Sequence, residues 1–142
     1  LASLARAQGV NVLIDLVPEQ IAWVFSSIVV RRADIAQRRD MLLRFLKATA
    51  EGNHIALGDA GRARRVLAKE LGITDAKILD IAYDDFRAQS PPNIEISLQG
   101  AENILAQFPG GSHKVEDYVD MSLIDALRAE AFFSGIDRKY AQ

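Results

Sequence analysis

Two apolar, β-branched runs lie in the first quarter of the chain, and nothing after them reads as strand. That order constrains the fold more than any other feature of the sequence. Residues 11–16 (NVLIDL) place Val12, Leu13, Ile14 and Leu16 between Gly9 and Pro18. Such near-continuous apolarity predicts a strand covered on both faces, as in parallel sheets. Residues 22–31 (AWVFSSIVVR) are rich in β-branched and aromatic side chains and stop at Arg31 and Arg32. They predict a second strand. Two strands make a marginal sheet, and strands this apolar need neighbours on both sides. Further strands are therefore expected upstream of residue 1.

From Asp34 the apolar period changes to that of a helix. Asp34 serves as an N-cap for Ile35, Met41, Leu42, Phe45, Leu46 and Thr49, which predicts one helix, bent near Arg39, running to about Glu51. Asp59 precedes a helix that Gly72 stops; Thr74 precedes another that ends before Pro91 and Pro92; Ser97 opens a third, closed by Pro109, Gly110 and Gly111. Ser122 and Asp125 resemble a capping box for a last helix over 123–133, with Gly135 beyond it. Residues 1–8 read as the end of a helix capped by Gly9.

Composition excludes several functions. The 142 residues hold 17 Lys and Arg against 19 Asp and Glu, with no basic half to lie along phosphates, so nucleic acid is not an expected partner. The absence of cysteine removes thiolate metal sites and a cysteine nucleophile from this chain. The longest apolar stretch, residues 21–30, is half the ~20 residues that a membrane helix needs. His54 and His113 are the only histidines and sit beside Gly52, Asn53 and Gly111, Ser112, so both are expected in solvated loops, without a metal.

The run Gly58-Asp59-Ala60-Gly61-Arg62 lacks the strand before it and the Gly-Lys-Ser/Thr ending of a phosphate loop, so it reads as a helix connection with an Asp cap. Arg62, Arg64 and Arg65 read as a solvated face, and the carboxylate pairs Asp84, Asp85 and Glu116, Asp117 as exposed. The short constellation with functional content is Trp23, Phe25, Ser26 and Ser27. Aromatic faces and hydroxyls at a strand end are what small-molecule clefts are lined with. No catalytic residue, metal ligand or cofactor site is assigned.

The order of segments resembles a known family. It runs through residues 9–16 (GVNVLIDL), 23–35 (WVFSSIVVRRADI), 38–52 (RRDMLLRFLKATAEG) and 63–75 (ARRVLAKELGITD). It continues through 78–108, with Tyr83 and Phe86 ahead of Pro91-Pro92, then 115–127 with Val119-Asp120, and closes at 134–140 (SGIDRKY). This pattern resembles the C-terminal half of ABC-transporter substrate-binding proteins of the nitrate, sulfonate and taurine type, which include the thiamine-pyrimidine-precursor proteins. The resemblance implies an α/β chain, the C-terminal part of a two-lobed type II periplasmic-binding fold, helix-rich with two short strands near the N-terminus. Residues 1–17 would end the second lobe, 18–32 would cross between lobes, and 33–142 would complete the first lobe with helices.

Trp23, Phe25, Ser26 and Ser27 would then border an interlobe cleft holding a small anionic or aromatic ligand, without enzymatic chemistry. The resemblance further implies a membrane permease as partner and a periplasmic location, with an export signal upstream. Exposed strand edges imply dimerisation by strand pairing. Two other readings stay open: an enzyme on the same scaffold, such as a thiamine-pyrimidine synthase or a desulfinase, and a stand-alone helical interaction domain.

Overall fold

The computed structural model describes residues 5–6, 8–14, 19 and 21–140. From Arg32 onward the chain is a series of helices: α1 (Arg32–Gln37), α2 (Arg39–Gly58), α3 (Ala60–Leu71), α4 (Ala76–Gln89), α5 (Leu98–Leu105), a 3₁₀ turn (Val115–Asp117), α6 (Ser122–Ala129) and α7 (Phe132–Tyr140).

The α/β expectation is overturned, because the described residues contain no strand and the architecture is all-helical. A strand exists only through a partner that takes its backbone hydrogen bonds. Among the described residues, 11–14 and 21–31 find none: the one backbone group of 21–30 with a partner there is the Ala22 carbonyl, which accepts from the Asn103 side chain at 2.8 Å. Residues 15–18 of the first expected strand, like 1–4 and 7 of the expected helix end, lie outside the described residues. Gly9 does make the expected left-handed cap at φ 79°, its amide bonding the Arg6 carbonyl and that of Val10 the Ala5 carbonyl.

The helix α2 organises the rest. Its residues Leu42, Leu46 and Ala50, four apart and buried, pack against Leu123, Ile124 and Leu127 of α6 and Phe133 and Ile136 of α7. His54 is the next step of that stripe and is buried, not in a solvated loop. Its Nδ1 lies 3.0 Å from the Ala50 carbonyl and its Nε2 2.8 Å from the Asp137 carboxylate, which fastens α2 to α7. Lys139 and Tyr140 both donate to Glu51 Oε1 at 2.6 Å on the same seam. These two donors, Lys139 first, hold the Glu51 carboxyl below its ordinary range, and Glu51 in turn raises Lys139.

At its other end α2 passes into α3 at Asp59, whose carboxylate accepts from the Arg62 amide at 2.8 Å, as the Asp-cap reading expects. Arg64 is only partly exposed: it forms an ion pair with Asp80 at 2.8 Å and lies 4.9 Å from the centre of the Tyr83 ring, joining α3 to α4. Tyr83, 2% exposed, reaches back with its hydroxyl to the Ala56 and Leu57 carbonyls.

Candidate functional site

The helix α2 carries a second stripe, offset from the first. Phe45, Thr49, Gly52, Asn53 and Ala56 recur at intervals of four, three, one and three, and they form one wall of a cleft of about 870 Å³. Ile35 of α1, Phe86 at the end of α4, and Leu123 and Ile124 at the start of α6 add apolar walls. The remaining sides come from backbone outside the helices: the ribbon 26–30, the segment 94–96 and the loop 117–121.

Each non-helical wall has its own anchor. The ribbon runs from residue 21 to 31 without turn, bend or helix. It is pinned at its start, where Asn103 takes the Ala22 carbonyl and the Trp23 backbone crosses Gly100 of α5. A Cβ at position 100 would stand 2.8 Å from Trp23 C and 2.9 Å from Trp23 N, so only glycine admits this approach. The Pro91-Pro92 turn is tied to α2 by Asn53 Nδ2, which donates to the Pro91 carbonyl at 2.8 Å and that of Pro92 at 3.3 Å. Beyond it Ile94 adopts φ 53°, an unusual conformation for a β-branched residue, and in it lines the cleft. Arg32 holds the 3₁₀ turn by donating to the Asp117 carbonyl at 2.6 Å and the Glu116 carbonyl at 3.3 Å.

The charged groups on the lining are one cation, Arg32, and three carboxylates, Glu95, Asp117 and Asp120. Arg32 spends its Nη2 on backbone carbonyls. Asp120 accepts from the Ser122 amide at 2.9 Å, and the Ser122 hydroxyl and amide hold its carboxyl below the usual range, with Arg32 and Arg39 adding to the effect. Glu95 pairs with Arg128 at 2.9 Å, and Asp117 accepts from the Ser112 hydroxyl. The polar residues on the lining are thus Arg32 and the three carboxylates, the hydroxyl-bearing Ser26, Ser27, Thr49, Ser90 and Tyr118, and Asn53, with no histidine among them.

Of the four residues singled out in sequence, Ser26 and Ser27 lie on the cleft. Trp23 contributes the backbone that crosses Gly100, and its side chain is half-exposed. Phe25 is 95% exposed and off the lining. The sequence by itself does not single out the α2 residues Phe45, Thr49 and Asn53 for the site. Their signal was a second helical stripe, hidden because Gly52-Asn53 reads locally as a loop. Among the described residues no cluster of His, Asp and Glu is arranged to hold a metal ion, and no helix is long and apolar enough to cross a membrane. Comparison of the chain with family models, curated proteins and solved structures finds no match.

Proposed function

We propose that the protein captures a small molecule in the cleft between α2 and the 26–30 ribbon, holding it without covalent chemistry. The observation that carries this reading is the cleft itself: about 870 Å³, walled mainly by apolar side chains, with a few hydroxyl-bearing residues and Asn53 on its lining. Volume and lining are those of sites that enclose drug-sized ligands. Apolar contact with Phe45, Ile35, Phe86 and Ile124 would supply affinity, and Ser26, Ser27, Thr49 and Asn53 would orient polar groups. Carboxylates outnumber cations on the lining, and the single Arg32 is already bonded, so a neutral aromatic or aliphatic body suits the cleft better than an anion.

The resemblance of segment order supports a role for this capture: the solute-binding component of an ABC importer, working in the periplasm and delivering to a membrane permease. The all-helical architecture favours a second reading, a helical module whose cleft takes an apolar segment of a partner protein. The two differ in what fills the same cleft. A thermal-shift screen of neutral, cationic and anionic aromatic compounds, repeated on Phe45→Glu, tests the capture reading. Phe45 is half-exposed, so the substitution charges the cleft wall with little cost to folding. A true ligand at a hundredfold excess over its Kd stabilises by about 2.7 kcal/mol, or roughly 8 °C, and loses that effect in Phe45→Glu. A screen in which no compound stabilises the protein would defeat the proposal.

A further inference from the structure

The ribbon 21–31 has backbone chemistry that the cleft does not use. Apart from the Ala22 carbonyl, the donors and acceptors of residues 21–30 have no protein partner among the described residues, along a run that neither turns nor bends. Its side chains are of the strand-favouring kind, and they alternate in exposure. Phe25 and Val29 are 95% and 86% exposed, whereas Ile28 and Val30 are 48% and 39%. An unpaired apolar edge of this kind is a template for another strand.

Two identical antiparallel strands related by a two-fold axis can pair only residues of the same parity, so that both present the same face to the same side. Centred on Ser27, that rule sets Ser27 opposite its own copy, Phe25 opposite Val29, Val24 opposite Val30 and Ser26 opposite Ile28. The two most exposed apolar side chains of the ribbon thereby cover each other, twice over by symmetry. Hydroxyl meets hydroxyl at the axis, and from 24 to 30 no charge is brought against another. The geometry points to a second copy of this chain as the partner, joined by an antiparallel ladder over residues 24–30 with its two-fold axis at Ser27. This goes beyond capture of a small molecule: the ladder would stiffen the ribbon that walls the cleft.

The test is the oligomeric state of the whole chain, measured by sedimentation equilibrium from dilute to concentrated solution. A reversible dimer is expected. Phe25→Lys should weaken it roughly tenfold through the two symmetry-related Phe–Val contacts. Folding should be unaffected, because Phe25 lies almost wholly in solvent. Adding Val29→Glu to Phe25→Lys should restore the dimer by setting opposite charges across the ladder. The chain has no cysteine, so Ser27→Cys gives an independent reading. It should form a disulfide-linked dimer on mild oxidation, whereas Val29→Cys should not, its two copies lying roughly 13 Å apart along the strands. A monomer at every concentration overturns the proposal. So does a dimer indifferent to Phe25→Lys, which would place the contact elsewhere, for instance at the exposed Leu13 and Ile14. A double variant no better than the single one overturns the register, and the proposal with it.

Discussion

Gly100→Ala separates the account of the ribbon from ordinary helix energetics, because the two push stability in opposite directions. Alanine in place of glycine inside a helix gains up to about 1 kcal/mol. At position 100 the new Cβ would stand 2.8–3.0 Å from three backbone atoms of Trp23, and backbone cannot swing aside as a side chain can. Forcing the contact costs about 1–3 kcal/mol. The ribbon is held at this point by one further link, the Asn103–Ala22 hydrogen bond, whose net worth is about 1 kcal/mol. Release of the ribbon is therefore the cheaper relief: the helix gain and the lost bond nearly cancel, and the global melting point hardly moves. Trp23 is the single tryptophan, so its emission reports on the release alone. The expected result is a red-shifted spectrum and stronger acrylamide quenching than in the parent, where Trp23 is 46% exposed. Gly135→Ala, in α7 with open space around it, is the companion variant and should raise the melting point with the Trp23 spectrum unchanged. If Gly100→Ala behaves like Gly135→Ala in both readouts, the ribbon does not dock on α5 and the reasoning fails.

Three other expectations concern the α2–α7 seam and its neighbour. His54→Ala removes a buried ring and leaves the Asp137 carboxylate without its link to α2; a loss of about 2 kcal/mol is expected, read as a melting point roughly 6 °C lower, and an unchanged midpoint would show that the clamp contributes nothing. Glu51, its carboxyl lowered by Lys139 and Tyr140, contributes stability that is fully present above its ordinary value of 4.5 and is lost as pH falls through its lowered folded-state value. Lys139, raised by Glu51, contributes below 10.5 and loses its share as pH climbs through its raised value. Melting curves across pH for the parent and Glu51→Gln should therefore diverge in the neutral range and converge in acid, and parallel curves would refute the linkage. Ala131, exposed between α6 and α7, sits at φ 54°, so Ala131→Gly should stabilise by about 0.5–1 kcal/mol in chemical denaturation, and a destabilised variant would show that the left-handed turn is absent.

The parts of the fold legible in sequence are those with local causes. Asp59 and Ser97 cap their helices through their own side chains, and Gly72 closes α3 at φ 65°. Small errors arise where two residues compete for one local role. Asp75 rather than Thr74 caps α4, and Asp34 lies inside α1, paired with Arg31 and Arg38, instead of capping it. The expected bend near Arg39 is a break at Arg38 between α1 and α2.

Larger errors come from signals that tertiary packing overrides. Gly52-Asn53 suggests a helix end near Glu51, yet α2 continues to Gly58 because its buried stripe continues through His54. The expected single helix 123–133 divides at Ala131, since alanine gives no sequence sign of a left-handed turn, and Gly135 falls inside α7. Ser122 and Asp125 form no capping box; Asp120 accepts from the Ser122 amide and Asp125 bonds Arg128. Residue type alone suggests the strands, whereas a ladder is a long-range property, and here the described residues offer 11–14 and 21–31 no partner. Of the four residues that the sequence singles out, two, Ser26 and Ser27, lie on the candidate cleft. Hydroxyls at 26 and 27 mark a cleft by their chemistry, but the facing stripe on α2 becomes visible only once that helix is known to continue.

The most direct test of the cleft as a binding site is a fluorescence titration with phenylnaphthylamine, a neutral aromatic probe that brightens in apolar surroundings, on the parent protein and on Phe45→Glu. The account predicts saturable enhancement at one probe per chain in the parent and its loss in Phe45→Glu, with the two melting points close together. Enhancement that never saturates, or that survives Phe45→Glu undiminished, would contradict it.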